Sequence, residues 1–95
     1  MLVKVLIKRR FKKGKEEEIG SLIKKFRGRA MHQPGYVSGE TLVDVIDAQK
    51  SLIIATWKRL DDWNAWKNNH ERKEFELMLE IYQDGRTEYE TYYIA

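Results

Sequence analysis

The chain has 95 residues, enough for one domain but too few to bury as large a share of surface as a long chain buries. Its 18 basic and 15 acidic side chains give a net charge of +3; apart from a basic cluster from Lys8 to Lys15 and the acidic run Glu16 to Glu18 they are interspersed, and so mild a bias argues against a nucleic-acid partner. Cysteine is absent, which excludes disulfides, a thiolate metal site and a cysteine nucleophile and suits a reducing cytoplasm, while no apolar run approaches the roughly 20 residues that a membrane span needs.

Leu2 to Phe11 alternates, with Val3, Val5, Ile7 and Phe11 on one side and Lys4, Lys8 and Arg10 mostly on the other, so a strand is predicted. Lys13-Gly14 breaks that pattern. Glu16, Glu17 and Glu18 then stand where acidic groups favour the positive end of a helix dipole. Ile19, Leu22, Ile23, Phe26 and Ala30 carry an amphipathic helix on to about Met31, and the Gln33-Pro34-Gly35 turn ends it. Two strands are predicted next, Tyr36 to Val45 and Ser51 to Arg59, joined by a polar turn around Asp47 to Lys50.

Leu52, Ile53, Ile54 and Ala55 put apolar groups on both faces of the second of these strands. A strand apolar on both faces is normally covered on both. Helices of one short chain cover a single face, so a homodimer is expected. Leu60 opens a helix, with Asp61 or Asp62 able to cap its free amides. Polar residues from Lys67 to Glu74 interrupt the apolar stripe, which resumes at Phe75, Met78, Ile81 and Tyr82; two short helices, or one bent near Asn68-Asn69, are predicted. After the Asp84-Gly85 turn signal, Thr87 to Ile94 alternates as a last strand rich in tyrosine. The order β-α-β-β-α-β with one antiparallel sheet and helices on one face is an α+β, ferredoxin-like arrangement, expected to span 1–95 as one domain.

Pro34-Gly35-Tyr36 before the second strand, Thr56-Trp57-Lys58 ending the third, and Leu60 to Trp66 after it are similar to the antibiotic biosynthesis monooxygenase (ABM) family, and the resemblance covers nearly the whole chain. It implies a dimeric α+β barrel, two sheets packed face to face, with a pocket between sheet and helices in each subunit. It also implies either a cofactor-independent monooxygenase acting on aromatic quinols, a haem-degrading oxygenase, or a member without known chemistry.

For haem degradation, the resemblance asks for a first-strand asparagine, where this chain has Ile7, for the tryptophan met by Trp66, and for an iron-ligating histidine, where it has Glu76. His70, one helical turn after Trp66, is the only nearby substitute. Quinol oxidation needs no metal: a dry aromatic pocket takes the substrate's proton and stabilises the anion. Trp66 then lines the pocket. The asparagine that such enzymes carry one turn earlier falls on Asp62, and Asn64 lies on a different helical face. Trp66, Asp62 and Asn64 are therefore the catalytic candidates, and Ile7, Arg9, His70 and Tyr93 the substrate-binding ones; neither metal nor cofactor is expected, and the ligand is a small apolar or aromatic molecule.

Plainer roles compete with each of these. Trp57 and Trp63 read as core, Trp66 as packing on an amphipathic helix, His70 as a solvated side chain and His32 as a helix-end residue. The same chain carries no glycine-rich phosphate loop and no G-x-S-x-G elbow. A non-catalytic dimeric domain that binds a small ligand is the rival reading.

Overall fold

Seven elements make up the computed structural model, which describes residues 1–95: β1 (Val3–Arg10), α1 (Glu16–Ala30), β2 (Tyr36–Val43), β3 (Lys50–Trp57), α2 (Leu60–Lys67), α3 (His70–Glu80) and β4 (Glu88–Tyr93). Alternation in β1 does what the pattern predicts: Val3, Val5, Ile7 and Arg9 are buried, while Lys4, Leu6, Lys8 and Arg10 face the other way. All pairings are antiparallel, in the order β2-β3-β1-β4, with β1 between β3 and β4. This is the ferredoxin-like sheet. No helix is long and apolar enough to cross a membrane.

Residues directly opposite each other in an antiparallel pair share a face. Val5 opposite Ala55 and Ile7 opposite Ile53 therefore build the inner face, and Leu6 opposite Ile54 and Lys8 opposite Leu52 the outer one. Helices cover the inner face, where Ile19 and Phe26 of α1, Trp63 and Trp66 of α2 and Leu79 of α3 join the strand residues in one core. Nothing in the chain covers the outer face. Leu6, Leu52 and Ile54 are half-buried there and Leu42 is exposed.

Local chemistry explains the element boundaries. Three glutamates occupy the first turn of α1 and Arg27 and Arg29 its last, both in the sense that the helix dipole favours. Neither aspartate caps α2, contrary to expectation. Arg59 is the N-cap, which leaves Asp61 and Asp62 already inside the first turn, and Asp62 instead accepts from the Arg59 side chain at 3.3 Å. The polar interruption yields two helices rather than one bent helix, because the Asn69 side chain accepts from the Glu71 amide at 2.8 Å and starts α3 afresh. β2 stops at Val43, short of the expected Val45: Asp44 accepts from the amides of Ile46 and Asp47 and offers the backbone a turn in place of the ladder. Gly35 holds the turn before β2 at φ 84, packed so closely on α2 that an added Cβ would lie 2.2 Å from the Asp62 carboxylate.

A buried cavity walled by aromatics and two arginines

Between the inner face and the helices lies a cavity of about 50 Å³. Every element except β4 contributes: Ile7 and Arg9 from β1, Phe26 from α1, Tyr36 from β2, Ala55 and Trp57 from β3, Trp63 and Trp66 from α2, Arg72 from α3. The exposed Arg27 and Glu40 mark its solvent side, where Arg27 also donates to the Gly39 carbonyl. Two wider depressions, of about 860 and 780 Å³, lie on the outside and are lined mostly by polar and charged side chains.

The aromatic residues at and behind the wall pack in two sets. Tyr36 meets Trp57 edge-on with centroids 5.3 Å apart, Trp57 lies 5.9 Å from Trp63, and Trp63 lies 6.1 Å from Tyr89. Phe26 meets Trp66 edge-on at 6.2 Å and stacks on Phe75 at 4.9 Å. These separations are typical of favourable aromatic pairs.

Two buried guanidinium groups interrupt that apolar surface. The Arg9 side chain is 1 % exposed and ion-paired with Glu76 of α3, whose own side chain is 14 % exposed. Arg72, 3 % exposed, sits one turn before Glu76 at 3.4 Å and donates to the Tyr89 hydroxyl at 3.1 Å. Its guanidinium lies over the rings of Trp63, Phe26 and Tyr89, and Arg9 lies over Phe26. Thr87 and Gln83 complete the network, with Thr87 donating to Glu76 at 3.3 Å and Gln83 donating to Thr87 at 3.1 Å. Burial pushes the pKa of the Arg9 guanidinium down, and the Glu76 charge opposes that shift.

Of the sequence-derived candidates, Trp66, Ile7 and Arg9 come together on the cavity wall. Asp62 does not line it; its carboxylate is held by Arg59 against the Gly35 turn. Asn64 is exposed on α2, where its main-chain carbonyl accepts from the Asn68 side chain. His70 opens α3 with its side chain 90 % exposed and 3.0 Å from Glu74, and Tyr93 is exposed near the end of β4 opposite Val3. Arg72 escaped the sequence reading because it stands in a polar stretch. Its signal was the spacing of Arg72, Phe75, Glu76 and Leu79, which share one helical face. Trp57 and Trp63, read as core, are both core and cavity wall.

A haem does not fit this donor set. Glu76, at the position where a histidine would be needed, is tied to Arg9 and beside Arg72, and the exposed His70 lies off the cavity wall.

Comparison with known proteins adds a family. Residues 2–76 match the profile described as Antibiotic biosynthesis monooxygenase. No curated protein matches the chain. Among solved structures, a conserved protein from Methanosarcina mazei is 18% identical with a TM-score of 0.89, over 97% of this chain and 91% of that one. SnoaB, a cofactor-independent oxygenase from Streptomyces nogalater, is 16% identical with a TM-score of 0.88, over 99% and 93%. Rv0793 from Mycobacterium tuberculosis is 6% identical with a TM-score of 0.87, over 100% and 96%. Identities this low speak for the fold alone.

Proposed function

From the premise that the chain belongs to the antibiotic biosynthesis monooxygenase family, we propose that it is a cofactor-independent monooxygenase acting on a small aromatic or quinol-like substrate in the cavity between sheet and helices. The observation that carries this reading is the wall itself, where Trp57, Trp63 and Trp66 surround a space screened from water and two guanidinium groups stand beside it. Aromatic faces suit a flat ring. In a water-poor site, fixed cationic donors stabilise a ring oxyanion far more than solvent does. Such an anion is electron-rich enough to reduce dioxygen: one oxygen atom enters a ring carbon as a carbonyl, the other leaves as water with the single hydrogen of that carbon and the hydroxyl proton returned from the solvent side, and the ring, oxidised to a quinone, supplies all four electrons.

In this mechanism Trp66 and Phe26 hold the ring, and Arg9 and Arg72 favour the deprotonated form by attracting its charge. The lost proton passes to the solvent side, near Glu40. Oxygen uptake with a panel of quinols, each matched to product by mass, tests the proposal. Turnover is expected for at least one quinol, and Trp66→Phe should lower kcat by about tenfold or more because the ring is no longer held in a reactive pose. Absence of uptake across the panel would overturn it.

Placement of Asp62 and Asn64 away from the cavity wall favours a second reading, a non-catalytic small-ligand-binding domain. Saturable binding of the same compounds without oxygen uptake would select it. Under either reading we propose a homodimer formed through the outer face of the sheet. Support for it comes from the half-buried Leu6, Leu52 and Ile54, which no helix of the chain covers.

A further inference from the structure

Beside the cavity mouth the inner face of the sheet is only partly covered. α1 packs more on α3 than on β2. The gap it leaves over the β2 end of the sheet is the open groove of about 780 Å³, within the size range of sites that take small molecules. Thr41 and Val43 reach this groove because they pair with Ile53 and Ser51 on the inner face, away from the side proposed to meet a second copy. Ile23, Arg27 and Thr41 line groove and cavity alike, so the two spaces meet at Arg27.

Two observations point to a ligand there. The first is an apolar channel with a cationic rim. Ile19 and Ile23 of α1 face Val43 and Ile46, which are 58% and 93% exposed. Lys12, Lys13, Lys24 and Arg27 outnumber Glu16 and Asp47, and both carboxylates are engaged already, Glu16 by the Gly14 amide at 3.0 Å and Asp47 by Arg10 at 2.6 Å. No carboxylate pairs with Lys13, Lys24 or Arg27; the Arg27 guanidinium donates to the neutral Gly39 carbonyl. Gly20 is the second observation. It lies within α1, where glycine is among the poorest helix formers, and it lines the groove; a Cβ added there would meet nothing within 4 Å. No neighbour in the fold requires the missing side chain, and the bare helix wall leaves width for a molecule lying along α1.

We propose that the groove is a tail-binding subsite: the ring of the ligand occupies the cavity, and a flexible apolar chain leaves past Arg27, lies along α1 beside Gly20, and ends in a carboxylate drawn to Lys13 and Lys24. The substrate class is thus an aromatic ring with an acidic alkyl tail. This deepens the oxygenase reading and rests on it only for placing the ring in the cavity. At 1.5 Å per residue, about 10 Å of helix separates Arg27 from Gly20, which a chain of roughly six to eight methylene groups spans.

Calorimetric titration of the intact protein at low salt tests this without any assay of turnover, with 8-phenyloctanoate, its neutral amide 8-phenyloctanamide, the short phenylacetate and the ringless octanoate. The long acid should bind about tenfold or more tightly than phenylacetate and octanoate, because it fills both spaces. It should bind about fivefold more tightly than its amide, the scale of a few partly solvated charges, and salt should shrink that ratio. Gly20→Phe, which fills the groove from a position with room for a side chain, should cost the long acid and its amide about tenfold each and phenylacetate less than about twofold. Lys13→Gln with Lys24→Gln should at least halve the preference for acid over amide and leave the amide unchanged.

Octanoate binding as tightly as 8-phenyloctanoate would overturn the proposal, as would equal affinity for the long acid and its amide. So would Gly20→Phe weakening phenylacetate as much as the long compounds. Should Gly20→Phe not fold, the unmodified protein and the exposed lysine variants still decide. Tail discrimination without oxygen uptake from any quinol leaves the subsite standing and removes the oxygenase reading; uptake of quinols with no gain from a tail does the reverse.

Discussion

Glu76 is the single carboxylate between two buried guanidinium groups. Replacing it with glutamine keeps the shape but leaves both cations without a counter-charge, a change of the kind that costs about 3–5 kcal/mol in a buried pair. Chemical denaturation of Glu76→Gln should show a loss of that size, and anion addition should restore part of it. One member of this cluster, Arg9, was legible from the sequence. Arg9 shares the strand face of Ile7 by simple alternation, so its inward position follows from β1 alone. Arg72 and Glu76 were not legible in the same way, because a charged residue in a charged stretch is normally solvated; only the three- and seven-residue spacing of Arg72 to Phe75 and Leu79 pointed inward. Asp62 shows the converse. Its spacing from Trp66 suggested the pocket, but Arg59 lies close enough to hold it outside.

Element boundaries depend on short-range hydrogen bonds that hydrophobic periodicity does not encode. α3 begins because Asn69 caps it, so Asn69→Ala should cost about 1 kcal/mol, measurable as a lower Tm, and should loosen the turn that carries Arg72 into the core. The turn after β2 depends on two acids. Backbone amides, first that of Asp47 and then that of Ile46, hold the Asp44 pKa below the usual carboxylate range, and the Arg10 guanidinium followed by the Gln49 amide does the same for Asp47. A carboxylate whose folded pKa is depressed adds stability above its unfolded pKa and loses it as pH falls through the folded value. The turn should therefore loosen below about pH 4, seen as faster hydrogen exchange at the amides of Ile46, Asp47 and Gln49. β1 and α1 were legible because their periodicity is uninterrupted; the end of β2 and the start of α3 were set by Asp44 and Asn69 instead.

At the scale of the molecule, the order of strands and the ferredoxin-like sheet were legible, since β1 alternates strongly enough to fix which of its residues face inward and β3, apolar on both faces, reads as a central strand. The outer face invites a second copy of the chain, as proposed above. Its apolar centre, Leu6, Leu52 and Ile54, is flanked by the Lys8–Glu90 ion pair at 2.8 Å, a rim that can pair with a copy of itself. Sedimentation at micromolar concentration should give twice the mass of one chain, and Ile54→Lys should return it to one chain with the inner core intact by near-ultraviolet circular dichroism. A single-chain mass for the unmodified protein would sink the proposal.

A space of about 50 Å³ behind three tryptophans holds no benzene ring without displacement of its walls. A ring enters only if the walls give way, and the time a ligand waits is then set by how often the solvent side marked by Arg27 of α1 and Glu40 of β2 widens. Observed binding rates in a rapid-mixing experiment should rise with ligand concentration and then level off at one value shared by ligands of very different affinity. The narrow interior therefore acts as a clock as well as a filter: selectivity is exercised on how fast a molecule is admitted, and a substitution that thins the wall, such as Phe26→Ala, should raise that ceiling.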